Sequence, residues 1–288
     1  MKSRLELVQQ LLPLAATKHR ESIEYVHHLR VASRRAEATL EMYRELLPPW
    51  RATWIQKQLG RIRRATNDAR DDDVLALRLS KDNSSPAAEL LKLVCEHRDH
   101  AQQAVMDVYE RMTRKQGRFD RRVKKLLQRV HIRGKQRKSK EPSFHIWAQG
   151  HLRPILDDFF ETAQGDLNAT DRLHQFRIAG KKLRYALELL SASFDSSLRE
   201  VAYPLLEALQ DKLGRINDHA SASNRLERWL SETDDAERGK YLSEMLHSER
   251  QQLLESQQRF FAWWSVERQI ELRRAFERVV GSDSRTEN

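Results

Sequence analysis

The sequence predicts an all-α protein made of two antiparallel helical bundles, one the internal duplicate of the other. Three observations carry that expectation. Apolar residues recur at a spacing of three to four residues and its multiples, as at Leu90, Val94, Ala101, Val105 and Val108, which lines them along one helix face. Nine Gly and seven Pro are few for 288 residues, and a sheet-rich fold needs more turn residues. Residues 26–41 recur without a gap at residues 173–188.

Taken in order, the pattern gives helices near 4–18, 21–46, 50–79, 86–114 and 118–132, then near 144–163, 171–193, 197–230, 234–263 and 265–280. Pro48-Pro49, Ser85-Pro86 and Glu141-Pro142 act as punctuation. Ser85 followed by Pro86 reads as an N-cap and a first helical position. Pro13, Pro154 and Pro204 are expected to mark a kink or a first turn. The stretch from Arg133 to Pro142 has no large apolar side chain, so it divides the chain into halves 1–140 and 141–288 that together form one module.

Hydrophobic residues at 39% and charged residues at 33% suit a soluble helical protein with wide solvated faces. The net charge of +10 is unevenly placed. Residues 1–140 hold 32 Lys and Arg against 17 Asp and Glu, whereas residues 141–288 hold 20 against 25. Residues 111–140 alone carry 14 basic side chains and one acid, Asp120. Net charge therefore does not make the whole surface attractive to polyanions, and any further site has to come from geometry. The lone Cys95 forms no intrachain disulfide and fits a reducing cytoplasm. The first 21 residues carry Arg4 and Glu6 within their apolar pattern and read as an amphipathic helix rather than a signal peptide. No run approaches the ~18 apolar residues of a membrane span.

The repeat, VHHLRVASRRAEATLE against LHQFRIAGKKLRYALE, pairs five identities at an offset of 147: His27/His174, Arg30/Arg177, Ala32/Ala179, Leu40/Leu187 and Glu41/Glu188. Arg34/Lys181, Arg35/Lys182 and Val31/Ile178 keep their chemistry, and Asp71 falls on Asp218 at the same offset. At about 100° per residue, His27, Arg30 and Arg34 share a stripe within roughly 60°, with Arg35 beside it. His174, Arg177, Lys181 and Arg184 form the matching stripe, flanked by Lys182. The apolar faces lie elsewhere, with Val26, Leu29, Ala36 and Leu40 in one copy and Leu173, Phe176, Leu183, Leu187 and Leu190 in the other. A solvated helix face usually mixes signs, but these stripes contain no acid between their cations. Arg forks match phosphate oxygens, Lys adds a mobile charge, and His gains a proton beside an anion. A linear polyphosphate would meet such a row unit by unit, and two matching rows facing across a groove would hold it without reading any sequence.

These residues resemble the CHAD family, whose hallmark helix reads roughly His-x-x-Arg-(Val/Ile)-x-x-(Arg/Lys)-(Arg/Lys) in two related halves. Here the matches are His27 to Arg35 and, more closely, His174 to Tyr185. Arg70-Asp71-Asp72-Asp73-Val74 and Leu213-Gly214-Arg215-Ile216-Asn217-Asp218 are similar to two further family segments. The resemblance implies two bundles related by pseudo-twofold symmetry with a basic groove or channel between them. It also implies binding of inorganic polyphosphate and association with polyphosphate granules. It assigns His27, Arg30, Arg34, Arg35, Arg70, His174, Arg177, Lys181, Lys182 and Arg184 to the site. The first copy departs from the pattern at Glu37, where the second keeps Arg184. Many members are joined to a triphosphatase domain with a Glu-x-Glu-x-Lys strand motif, and this sequence shows no such motif.

Other constellations have plainer readings. Residues 118–133 place Phe119, Val123, Leu126, Leu127 and Val130 on one face, which suits a bundle helix with a basic solvent side, an extension of the anion track, or, third, a lipid-surface helix. His97 and His100 lack further ligands at metal-binding spacing, so a structural role is expected. Asp71-Asp72-Asp73 has the oxygen chemistry for Mg²⁺, but ion pairing or capping within the repeat is the preferred reading. Phe260 to Trp264 reads as core, with a dimer contact as the alternative. No Gly-rich phosphate loop, nucleophile elbow or metalloprotease signature occurs. The expectation is a cytoplasmic, non-enzymatic polyphosphate binder without cofactor or metal. Nucleic acid bound by residues 111–140 is the second reading, and a phosphate-directed enzyme the third.

Overall fold

Among the described residues the chain forms ten α-helices and no strand. A computed structural model describes the backbone of residues 1–82, 84–136 and 143–281, with side chains except at 115, 116 and 131–136. The whole of the basic join from Arg133 to Pro142 thus lies outside the described side chains. The chain divides into two compact units, Met1–Ser139 and Lys140–Asn288. The first holds α1 (Lys2–Thr17), α2 (Glu24–Met42), α3 (Pro49–Ala65), α4 (Asn67–Leu79) and α5 (Ser85–Gln136). The second holds α6 (Phe144–Ala163), α7 (Thr170–Leu190), α8 (Tyr203–Ser231), α9 (Ala236–Trp263) and α10 (Val266–Gly281).

In the first unit the apolar stripes of α1, α2, α3 and α5 close on one another through Leu5, Val8, Val26, Leu29, Ile55, Leu59, Val105 and Phe119, all essentially buried. The expected helix over 50–79 is two helices, and the break at Thr66 has a tertiary cause. An Nη of Arg30, reaching from α2, donates to the Arg63 carbonyl at 2.9 Å, to Thr66 Oγ1 at 3.2 Å and to Asn67 Oδ1. Thr66, fully buried, in turn donates to the carbonyls of Ile62 and Arg63. The guanidinium thus satisfies carbonyl oxygen at the C-terminal end of α3, where a helix leaves acceptors unpaired and favours positive charge. Arg30→Ala is expected to cost the first unit about 2 kcal/mol, the worth of a hydrogen bond to a charged group. Urea denaturation reads this loss, and Arg30→Lys, a single point charge, should not restore it.

The opposite correction applies further on. The expected helices 86–114 and 118–132 form one continuous run, α5, with the anticipated interruption reduced to Gly117 at φ +71°. The run is bent. Gln102 donates to the carbonyls of Ala15 and Ala16, while Gln9 donates to Asp120. Gln102 and Asp120 would stand about 27 Å apart on a straight helix, against about 10 Å between the matching points of α1. The cap also shifts by one residue, because Ser84 Oγ rather than Ser85 accepts from the Ala87 amide.

A buried polar chain ties α4, α5 and α1 together. Arg98 Nε donates to Asp73 at 2.7 Å, Arg98 Nη1 donates to Gln102 at 2.9 Å, and Gln102 continues to the end of α1. Beside it His97 Nδ1 lies 2.7 Å from the fully buried carboxylate of Asp72. His97 and two of the three aspartates therefore tie α4 to α5, and no group of metal-ligating side chains occurs among the described residues.

The second unit closes around aromatic rings. Phe176 stacks on Phe159 at 5.1 Å and touches Trp264 at 5.3 Å, and Phe260 stacks on Trp264 at 6.3 Å. Phe260 and Trp264 are core residues, as the plainer reading expected. Gly180 brings α7 close to α8, since a Cβ there would meet Gln210 Nε2 at 2.1 Å. Pro13 and Pro154 lie inside α1 and α6, and Pro204 starts α8 after a π-helical turn, Leu198–Ala202. No helix among the described residues is long and apolar enough to cross a membrane.

Candidate polyanion-binding site

Helix α2 buries Val26, Leu29, Ala36 and Leu40, which turns His27, Arg30 and Arg34 onto a half-buried flank rather than into open solvent. Helix α4 brings Arg70 to the same place, and the end of α3 adds Arg63. Mutual electrostatics record the gathering. Burial lowers the His27 pKa from its ordinary value; the Arg70 guanidinium is the next cause, followed by Glu24 in opposition, then His28 and Arg34. Arg30 is pushed down by burial; Asp71 opposes, and Arg34, Arg63 and Arg70 add to the lowering. A guanidinium stays charged under such pressure, so the cluster holds like charges together within the folded unit.

Carboxylates answer part of this charge. Arg70 lies 3.9 Å from Glu24, and Arg63 lies 2.8 Å from Glu37. Glu37, the departure from the repeat, is thus matched by Arg63, a residue the sequence reading missed. Its only sequence signal is the basic run Arg61, Arg63, Arg64 in the last turns of α3. Burial raises the Glu37 pKa, Arg63 opposes the shift, and Glu41 adds to it. Arg34 is different: it has no carboxylate or hydrogen-bond partner among the described residues, and its Nε is buried. Arg34 and His27 are both half-buried on the same flank of α2. Arg35 is half-buried and lies about 100° around α2 from Arg34.

In the second unit α7 repeats the arrangement in part. Its apolar face, Leu173, Phe176, Leu183, Leu187 and Leu190, is buried, and Arg177, Lys181 and Arg184 are half-buried along one flank while His174 is exposed. Arg184 lies 3.6 Å from Glu188 one turn on. Lys182 turns away to Asp158 of α6 at 3.0 Å, a solvent-exposed pair that contributes ~0–1 kcal/mol. The Asp71 counterpart, Asp218, is exposed on α8.

The first unit thus gathers cations from three helices, α2, α3 and α4, and comparison with known proteins gives the family. The model of the CHAD domain matches residues 4–227, most of the chain. The chain belongs to the CHAD domain family, which is associated with polyphosphate. Among solved structures, the CHAD domain from the plant Ricinus communis superposes with a TM-score of 0.64 at 22% identity, covering 97% of this chain and 88% of that one. PptA from Streptomyces chartreusis superposes with a TM-score of 0.57 at 17% identity, covering 96% of each chain. At these identities the likeness concerns the fold. No curated protein sequence matches.

Proposed function

We propose that this chain binds inorganic polyphosphate and leaves it intact, through His27, Arg30, Arg34 and Arg70 in the first unit and His174, Arg177, Lys181 and Arg184 in the second. Targeting to polyphosphate granules is the cellular role that follows from this reading. One observation carries it: cations from separate helices gather at a half-buried place, and one of them, Arg34, has no carboxylate partner among the described residues. Folding like charges together costs free energy, and a linear polyphosphate would offset that cost with charge-assisted hydrogen bonds. Each stripe is read as a contact made within its own unit, so neutralising either should lower affinity for long chains.

Calorimetric titration with polyphosphates of defined length tests the reading, with orthophosphate release followed alongside under Mg²⁺ and Mn²⁺. Saturable binding without release is expected. Release that disappears on replacing Asp71 or Asp218 would instead make the chain a phosphatase.

Affinity should also depend on pH through His27. The unliganded imidazole holds its proton weakly, and a bound polyanion stabilises the imidazolium, so the His27 pKa rises on binding. Complex formation then takes up a proton at pH values between the two pKa values. Affinity is expected to climb several-fold as pH falls from about 8 to about 5.5, and His27→Gln should flatten that profile. Titrations in buffers of different ionisation enthalpy count the proton directly.

A further inference from the structure

At the other end of α3 from Arg63, about 20 Å away along the helix, the first unit carries a surface of different character. Trp50 is 59% exposed, a large apolar area for one surface residue. The Arg51 guanidinium sits 4.1 Å from its ring centre, and Arg122 of α5 lies 5.8 Å away. Arg122 also lies 4.4 Å from the ring of Trp54, which Arg118 approaches to 5.7 Å from the same helix. Trp54 itself is anchored against the buried Phe119, at 6.4 Å. Next to these rings Arg118, Arg121, Arg122 and Lys125 line an open concavity of about 360 Å³. Arg118, Arg122 and Lys125 have no carboxylate partner among the described residues. They recur at i, i+4 and i+7, so they form a row along one side of α5.

We propose that this surface binds single-stranded nucleic acid, with a base stacked on Trp50 and the phosphate backbone running along Arg118, Arg122 and Lys125. The row of cations alone would suit any polyanion. The exposed indole separates the candidates, because polyphosphate has no π-face to lay on it, whereas every nucleobase does. A duplex keeps its bases stacked internally and presents none to a flat aromatic ring, so the ligand is single-stranded. Guanidiniums already lying near the rings supply the mixed stacking and phosphate contacts that such sites use.

The test measures fluorescence anisotropy of labelled oligo(dT) and oligo(U) of about 12 nucleotides, a duplex of the same length, and polyphosphate in parallel. Trp50→Ala is expected to lose roughly 5- to 150-fold in single-strand affinity, with polyphosphate affinity unchanged. Trp50→Phe should retain most of the binding, and neutralising Arg34 and Arg70 should spare it, which separates this proposal from the polyphosphate reading. The side chain is exposed, so circular dichroism should not change. The proposal is overturned if the protein ignores the oligonucleotides, if Trp50→Ala binds them as before, if the duplex binds as tightly, or if polyphosphate affinity falls in step.

Discussion

Converting Arg34 to Glu and Arg70 to Gln together is expected to weaken long-chain polyphosphate binding by at least about 100-fold. Each guanidinium lost from a charge-assisted contact is worth about 1.5–3 kcal/mol, and the introduced carboxylate adds repulsion where the ligand's charge would sit. Arg34 is the informative member because no hydrogen bond or ion pair within the described residues depends on it. Its removal should therefore leave thermal stability nearly untouched, unlike removal of Arg30, which closes the end of α3. Calorimetric affinity read beside the melting temperature separates the two effects. If affinity stays at the wild-type value while the fold is intact, the cluster around His27 is not the binding site.

The largest stability effect should come from Asp73. This carboxylate is 3% exposed and accepts from Arg98, itself 9% exposed. Asp73→Ala leaves that guanidinium buried without its counter-charge, a change that typically costs about 3–5 kcal/mol. Gln102, the next link, would lose the geometry that carries it to the carbonyls of Ala15 and Ala16. Burial raises the Asp73 pKa, with Arg98 opposing through hydrogen bond and charge. A raised folded-state value means the folded unit binds a proton more readily than the unfolded chain. On Asp73's account alone, stability therefore declines as pH rises from below its unfolded value through its folded one. Guanidinium denaturation of the variant should show a much lower midpoint with an unchanged slope. A shift of less than about 1 kcal/mol would mean that water reaches Arg98 and that the chain is not a buried tie.

Much of this was legible in the sequence. The apolar period that placed Leu29 and Phe176 inward also fixed, by subtraction, which way Arg34 and Lys181 face, because a helix has one rotation about its axis once its buried side is known. The repeat at an offset of 147 picked out α2 and α7 from residues alone. What escaped depended on partners distant in the chain. The break at Thr66 comes from Arg30 crossing 33 residues to a carbonyl, and local propensity carries no trace of such a contact. Arg63 carries no such signal, because its place in the cluster follows from how α3 docks on α2. The sequence puts Lys182 beside the stripe, yet nothing in its own helix foretells Asp158 on α6.

The backbone at Gly117 sits in a region that side-chain-bearing residues avoid. A Cβ would in addition come within 3.3 Å of the Asp120 carboxylate. Replacement there is therefore felt on both sides of the bend in α5: the limb bearing Phe119 and Arg122 keeps its docking on α3 only if the bend survives. Drift in the gene should thus be nearly silenced at this codon, with asparagine the most tolerable alternative.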